Sequence, residues 1–478
     1  MKWTSIALFL TSLASCTFAQ TQVTYRVQYA VAGDCCVHVQ MIFAEPLKAP
    51  VALVMPRTYP GGYEQILYDA YVEKVSASSA SGKPVEVKIA QDGPRWNVGA
   101  AGESVARIEY QVDVARMESH ILASVETSKV RHDYVGLLGY SVLAFVDGLE
   151  NRAIQLSVNA PEGWPVLTTL APKVPADTTT ATAEAADYYA LADSQILMGP
   201  ELKLRRFEGK IPLVFAMYAE ESADLDAEAL NARNALDAVQ SYFGDMPIRQ
   251  YTVQLEFLKP VAGHSYNFSQ EHIDSGTFSF STDRRLSVLI SEQKDRILLN
   301  YAHHIAHSWI PKRAYGTGYR PFTWELAPVI DTIWFNEGFG RYAGIAAVAN
   351  GMPRAEGAKF REGELSWMRE VIDEAPPFIR KMPLDTLSRE ASFLYAVDFR
   401  VGKNIFSRGA LMAAEMDDRI RAKTNGEKSL ADALRALLVW CGTNQRPFQV
   451  EEMMTIFADA TGVDVRDILK RWQEPLAK

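Results

Sequence analysis

The sequence predicts an α+β protein in which an N-terminal antiparallel β-sandwich-like domain precedes a largely helical half. Two changes of pattern and the composition carry this. Through the first part of the chain apolar residues alternate with polar ones, which lays one face of a strand on a core. After about residue 220 the apolar spacing becomes that of helices. With 48% apolar, 22% charged and 10% aromatic residues the chain is an ordinary globular protein, which excludes coiled coil, collagen and wholesale disorder. Its 478 residues suffice for three domains at ~150 residues each.

Lys2, the apolar run from Ile6 to Leu13 and the small residues after it read as a signal peptide over 1–19, too short to span a bilayer. Two cleavage readings stay open. Thr17-Phe18-Ala19 before Gln20 suits ordinary signal peptidase and predicts a secreted or periplasmic protein. Leu13-Ala14-Ser15-Cys16 resembles a bacterial lipobox, which would lipidate Cys16 and anchor the protein to the cell envelope. That anchor is the only membrane contact expected, because no later segment has the ~18 apolar residues of a span.

The N-terminal domain is expected over 20–200. Val23, Tyr25, Val27, Tyr29 and Val31 alternate strictly, and Gly33-Asp34 turns the chain into a second alternating run, Val37, Val39, Met41 and Phe43. Cys35 is in phase with that run, so Cys35 and Cys36 should face opposite sides of a strand as small space-filling residues rather than a redox pair. Ile108, Tyr110, Val112 and Val114 repeat the spacing, as do Ile154, Leu156 and Val158. The Pro/Thr/Ala-rich stretch 172–186 reads as a loop or linker. Helices are predicted over 224–243, 292–309, 331–350, 404–423, 429–440 and 450–472, with strands near 251–258 and 277–290. Asn425-Gly426 makes a turn, after which Ser429 with Asp432 forms a helix cap.

The balance of 49 Lys+Arg against 58 Asp+Glu gives a net charge of -9 without any basic block, which excludes nucleic acid as a partner. The chemistry concentrates in Tyr301-Ala302-His303-His304-Ile305-Ala306-His307-Ser308-Trp309. Ile297, Leu298, Tyr301, Ile305 and Trp309 form the stripe of a buried helix, and His303 and His307 leave one face a turn apart, where two nitrogens can meet one Zn2+. Glu337, in the aromatic run Trp334-Phe335-Asn336-Glu337-Gly338-Phe339, is the expected third ligand, since a bare buried carboxylate is costly. Two His and a Glu make the ligand set of a catalytic zinc with an open position. On spacing alone such a cluster is more often structural or surface than metal-binding, and His304 with His307 is an alternative pair.

These residues resemble an H-E-x-x-H gluzincin, specifically the glycyl aminopeptidase family, metallopeptidase family sixty-one. His307-Ser308-Trp309, Lys312-Arg313, Pro321-Phe322 and the run from Trp334 to Phe339 with Tyr342 are similar to that family's stretch between its second histidine and its third ligand. Met55-Pro56-Arg57, Pro60-Gly61-Gly62-Tyr63, Trp96, Pro161-Glu162-Gly163-Trp164, Asp187-Tyr188, Leu191, Asp193 and Ser194 resemble its N-terminal domain. Arg408-Gly409-Ala410-Leu411 and the segment from Gly426 to Leu430 resemble its helical part. The resemblance implies a thermolysin-like metal-binding domain over 201–355, a helical C-terminal region over 356–478 without the PDZ domain of many members, and one zinc on His303, His307 and Glu337.

The departures from the family pattern bear directly on activity. His304 stands where the family has its general-base Glu. Phe406, in Phe406-Ser407-Arg408-Gly409, stands where a tyrosine hydroxyl would meet the oxyanion, and Tyr395 reads as an ordinary buried tyrosine rather than its substitute. In Phe268-Ser269-Gln270-Glu271-His272 the substrate-binding carboxylate Glu271 is kept while two glycines are lost. A missing base costs ~10² to 10⁴ in rate and a missing oxyanion donor ~10² to 10³. The expected function is therefore an envelope or secreted aminopeptidase homologue that keeps zinc, has lost most or all peptidase activity, and binds peptides or protein N-termini. The rivals are an active aminopeptidase for small N-terminal residues with His304 as base, and a structural envelope protein without metal.

Overall fold

The computed structural model describes residues 23–121, 126–170, 180–245, 248–282 and 294–476. The expected signal peptide, Cys16 and the first part of the expected linker lie outside them.

The first hairpin forms as its alternation requires. Strand Val23–Gln28 pairs antiparallel with Cys36–Lys48 from Val23↔Phe43 to Gln28↔His38. One face of the pair, with Val23, Tyr25, Val27, Val37, Val39 and Met41, is buried. Cys35 departs from expectation. The turn at Gly33 delivers the chain to the sheet only at Cys36, so Cys35 stays exposed while Cys36 is buried next to Val37. The two free sulfurs nevertheless sit 2.9 Å apart.

The hairpin belongs to a seven-stranded sheet in the order Thr180–Ala185, Ile154–Asn159, Val23–Gln28, Cys36–Lys48, Ser104–Asp113, Val72–Ser78, Pro84–Val85. Its pairing is antiparallel except between Val23–Gln28 and Ile154–Asn159, which run parallel. Part of the stretch expected as a linker is a strand, Thr180–Ala185, whose Ala181, Ala183 and Ala185 are buried against Ile154–Asn159. Alanine is depleted in strands, so composition hid it. Two four-stranded sheets pack on the same core, which holds Tyr25, Met41, Trp96, Leu137 and Tyr188.

A five-stranded sheet follows, ordered Lys203–Phe207, Leu213–Ala219, Tyr251–Leu258, Ser275–Ser281, Asn267–Glu271. The middle three strands are parallel. Such a pair needs a crossover, supplied by helix Leu225–Phe243, whose first N–H groups are capped by Asp224. Every residue of Tyr251–Leu258 is buried, as expected of a parallel strand covered on both faces. The edge strand Asn267–Glu271 runs antiparallel and ends on the carboxylate singled out above.

The rest is helical. Leu430–Asn444 starts at the Ser429/Asp432 capping box read from the sequence. The expected helix over 450–472 is instead two, Val450–Thr461 and Arg466–Gln473, because Gly462 takes a left-handed conformation with φ 73°. Arg354–Asp373, Pro377–Arg380 and Leu384–Leu394 are helices that the sequence pattern did not announce. The first buries only Gly357, Leu365, Met368 and Ile372, too narrow a stripe to stand out. No helix among the described residues is long and apolar enough to cross a membrane.

Candidate metal centre

Helix Lys294–Ala306 packs Leu299, Tyr301, Ala302 and Ile305 into the core, with Tyr301 edge-on to Phe278 of the sheet. It ends at Ala306, short of the expected 309, and the chain tightens into turns in which Lys312 N–H donates to the His307 carbonyl. His307 therefore leaves from a turn rather than from the helix. Its ring still meets His303, with the two Nε2 atoms 3.3 Å apart. The His307 Nδ1–H donates to the Ile310 carbonyl at 2.8 Å, which leaves Nε2 as the free lone pair. Burial, with His307 and His304 alongside, holds the His303 imidazole well below its ordinary pKa and so favours its neutral form.

Glu337 comes from a π-helical turn, Trp334–Phe339, that leads into helix Gly340–Asn350. Such turns interrupt helices mostly at functional sites. A close crossing holds this one in place. A Cβ on Gly338 would fall 2.4 Å from Gly409 Cα, and one on Gly409 would fall 2.0 Å from the Trp334 carbonyl oxygen. Only glycines let helix Phe399–Lys423 and the ligand turn touch backbone to backbone. Glu337 Oε2 lies 3.6 Å from His307 Nε2 and 4.0 Å from His303 Nε2. Ligands about 2.0 Å from a tetrahedral zinc stand roughly 3.3 Å from one another, so the His303, His307 and Glu337 donors are spaced to close on one ion. Burial pushes the Glu337 carboxyl up to about 7 against the opposing pull of His307, a carboxylate that a cation would relieve.

His304 lies within the same cluster, one of its ring nitrogens within 4.8 Å of a ring nitrogen of His303 and of His307. It turns to the side. Its ring stands edge-on to Phe278, and its Nδ1 is 3.6 Å from Glu271 Oε2. His303 is the closer companion of His307, with ring centroids at 4.5 Å against 5.9 Å for His304. Glu271 is buried, and its Oε1 has no hydrogen-bond partner among the described residues. Against the cost of burial, His307, His304 and Lys312 hold its carboxyl down at about 2. Gly61, at φ 98°, presses against this carboxylate: a Cβ there would sit 2.1 Å from Oε1, so no other residue fits the loop.

Gly61, Glu271, His303, His304 and Glu337 line a cleft of about 700 Å³. Phe406 lines it from helix Phe399–Lys423, where its ring stacks on Trp367 at 6.0 Å. Two phenols reach Glu337 and its neighbour Asn336. Tyr395 Oη donates to Glu337 Oε2 at 3.4 Å, and Tyr63 Oη accepts from Asn336 Nδ2 at 3.1 Å. Tyr395 thus stands at the site, whereas the sequence alone reads it as an ordinary buried tyrosine. Contact across separate elements leaves no spacing to read.

Behind the cleft lies a fully buried clamp. Lys312 Nζ donates to the Asp193 carboxylate at 3.1 and 3.2 Å and to the Pro60 carbonyl at 3.0 Å. Asp193 Oδ1 is 3.3 Å from His272 Nδ1, and His272 Nε2 is 3.1 Å from Thr277 Oγ1. The clamp ties the turn after His307, the Gly61 loop and the neighbour of Glu271 together. Pro60, Asp193, His272 and Lys312 each stood in a sequence motif, but nothing in the sequence paired them.

Residues 24–200 match the family model described as the peptidase M61 N-terminal domain. No curated protein matches the chain. Solved structures do. An aminopeptidase N family protein from Idiomarina loihiensis shares 18% identity at a TM-score of 0.82, over 95% of this chain and 76% of that one. A mutant M1 zinc metallopeptidase from Deinococcus radiodurans, bound to a Tyr-Ser-Ala substrate, shares 15% at 0.56, over 96% and 94%. Native yeast LTA4 hydrolase shares 12% at 0.55, over 96% and 68%. At these identities the likeness is one of fold, and it extends the match beyond residue 200. Residues 24–200 are thus similar to a peptidase M61 N-terminal domain, and the chain as a whole shares the fold of these metallopeptidase structures.

Proposed function

We propose that this chain is a zinc-binding aminopeptidase homologue that has lost most or all of its peptidase activity and acts by holding peptides or protein N-termini in its cleft. His303, His307 and Glu337 would hold the one zinc, which would supply a Lewis acid at the floor of the cleft. The observation that carries the proposal is the orientation of His304. The residue in the general-base position turns its Nδ1 to Glu271, 3.6 Å away, instead of presenting a carboxylate beside the metal ligands. Phe406, on the wall, has no hydroxyl to give an oxyanion. Glu271, buried with a free oxygen, remains suited to a ligand's ammonium group. The proposal includes an extracytoplasmic location, secreted or periplasmic or lipid-anchored at Cys16.

A second reading has its own observation. A carboxylate beside an imidazole orients that imidazole as a base, and Glu271 stands so to His304. Hydrolysis of glycyl and alanyl anilides by the zinc-loaded protein separates the two. The proposal expects about one zinc per chain, turnover no higher than in His303→Ala, and a gain of turnover in His304→Glu. Chelator-sensitive turnover that disappears in His304→Ala establishes the second reading instead.

A further inference from the structure

The wall of the cleft formed by helices Arg354–Asp373 and Phe399–Lys423 is a ladder of aromatic rings. Trp367 stacks on Phe406 with centroids at 6.0 Å, Phe406 meets Phe399 at 6.4 Å, and Phe399 meets Tyr395 at 5.9 Å. The ladder ends at the metal centre, where the Tyr395 hydroxyl is 3.4 Å from Glu337. Its outer rungs are not covered: Trp367 is 37% and Phe399 is 49% exposed. The facing wall comes from the five-stranded sheet and presents Leu255, Phe257, Phe268 and Phe280. Phe268 occupies a position where the resemblance calls for glycine, so the substitution that removes room for backbone adds a ring to this wall. Phe406 has the same character. The residue that lacks a hydroxyl is the middle rung between Trp367 and Phe399.

An exposed run of stacked rings facing a second apolar wall, with a buried carboxylate oxygen free at the inner end, suits a flat apolar group attached to a cation. We infer that the cleft selects peptides carrying an aromatic side chain near a free N-terminus, the ring lying on Trp367, Phe406 and Phe399 and the ammonium group directed to Glu271. This rests on the reading of the cleft as a peptide site. It turns the preference away from the small residues that the family resemblance implies.

The test is calorimetric titration of the zinc-loaded full chain with amidated tripeptides that differ in their first two residues. Burying a phenyl ring contributes about tenfold to a hundredfold in affinity. Phe-Ala-Ala and Ala-Phe-Ala amides are therefore expected to bind at least about tenfold more tightly than Gly-Ala-Ala amide. Trp367→Ala, a half-exposed position that carries little of the fold, should erase most of that difference without changing the zinc content, and Phe406→Leu should do the same. Equal affinities across the series, or tighter binding of the glycyl peptide, overturn the inference while leaving a peptide site intact. No binding of any peptide removes the proposed function and the inference with it.

Discussion

Glu64 shows how one carboxyl can set a pH dependence. It is buried, and its Oε1 accepts the Tyr59 hydroxyl at 2.9 Å. Burial pushes it up to about 7 although that hydrogen bond works the other way. An acid raised on folding binds its proton more tightly in the native state, so its contribution is greatest at acidic pH and is lost as pH climbs from 4.5 to about 7. Glu64→Gln should be more stable than the native chain at pH 8, by up to about 3 kcal/mol, and no more stable at pH 4. Thermal melts at both pH values check this, and a native chain equal to the variant at pH 8 would refute it. The proposed metal ligands act at the same scale. Zinc at about a thousand times its Kd should stabilise the native chain by about 4 kcal/mol and leave His307→Ala unmoved, read as a shift in Tm. That these three side chains converge was legible because two histidines a turn apart and a carboxylate among aromatics break the rules for a buried segment. Tyr395 and His304's turn toward Glu271 were not, because orientation arises only when separate elements meet.

At the scale of elements, capping chemistry and strand alternation were readable and close approach was not. Ser429 with Asp432 and the hairpin of Val23–Gln28 with Cys36–Lys48 follow from local rules. The π-turn at Glu337 does not, since the backbone it packs against, at Gly409, belongs to another helix. Two glycine variants separate the roles. Gly409→Ala drives a methyl into the Trp334 carbonyl and should cost about 3 kcal/mol and weaken zinc binding. Gly442→Ala, in helix Leu430–Asn444, meets nothing within 4 Å and should instead stabilise by about 0.5–1 kcal/mol. Denaturant unfolding with zinc titration measures both. Equal effects would mean that the crossing has slack. The unannounced helix Arg354–Asp373 belongs here too: its outer face is polar and its inner face narrow, yet it supplies Trp367 to the cleft.

Across the whole molecule, the N-terminal half and the metal-bearing half share a buried ion pair. Lys312 comes from the turn after His307, and Asp193 and Pro60 from the N-terminal half. Removing one partner strands the other charge in the interior, which costs about 3–5 kcal/mol, whereas removing both costs less. Lys312→Met should fall in that range, and adding Asp193→Leu should recover part of the loss. Additive losses measured by denaturant unfolding would exclude coupling. The sequence conveyed the order of the two halves through its change of period. It did not convey the parallel pair Val23–Gln28 with Ile154–Asn159, because no local signal joins strands that far apart.

The touching backbones of Gly338 and Gly409 have a consequence for what the cleft can measure. Phe406 lies one turn before Gly409 on the same helix, and Glu337 is next to Gly338. With no side chain between the two segments to repack, the spacing from metal ligand to aromatic wall is fixed like the jaws of a gauge. On the proposed reading, a guest would meet a metal site and an aromatic wall held at one distance, and it would be the guest that bends.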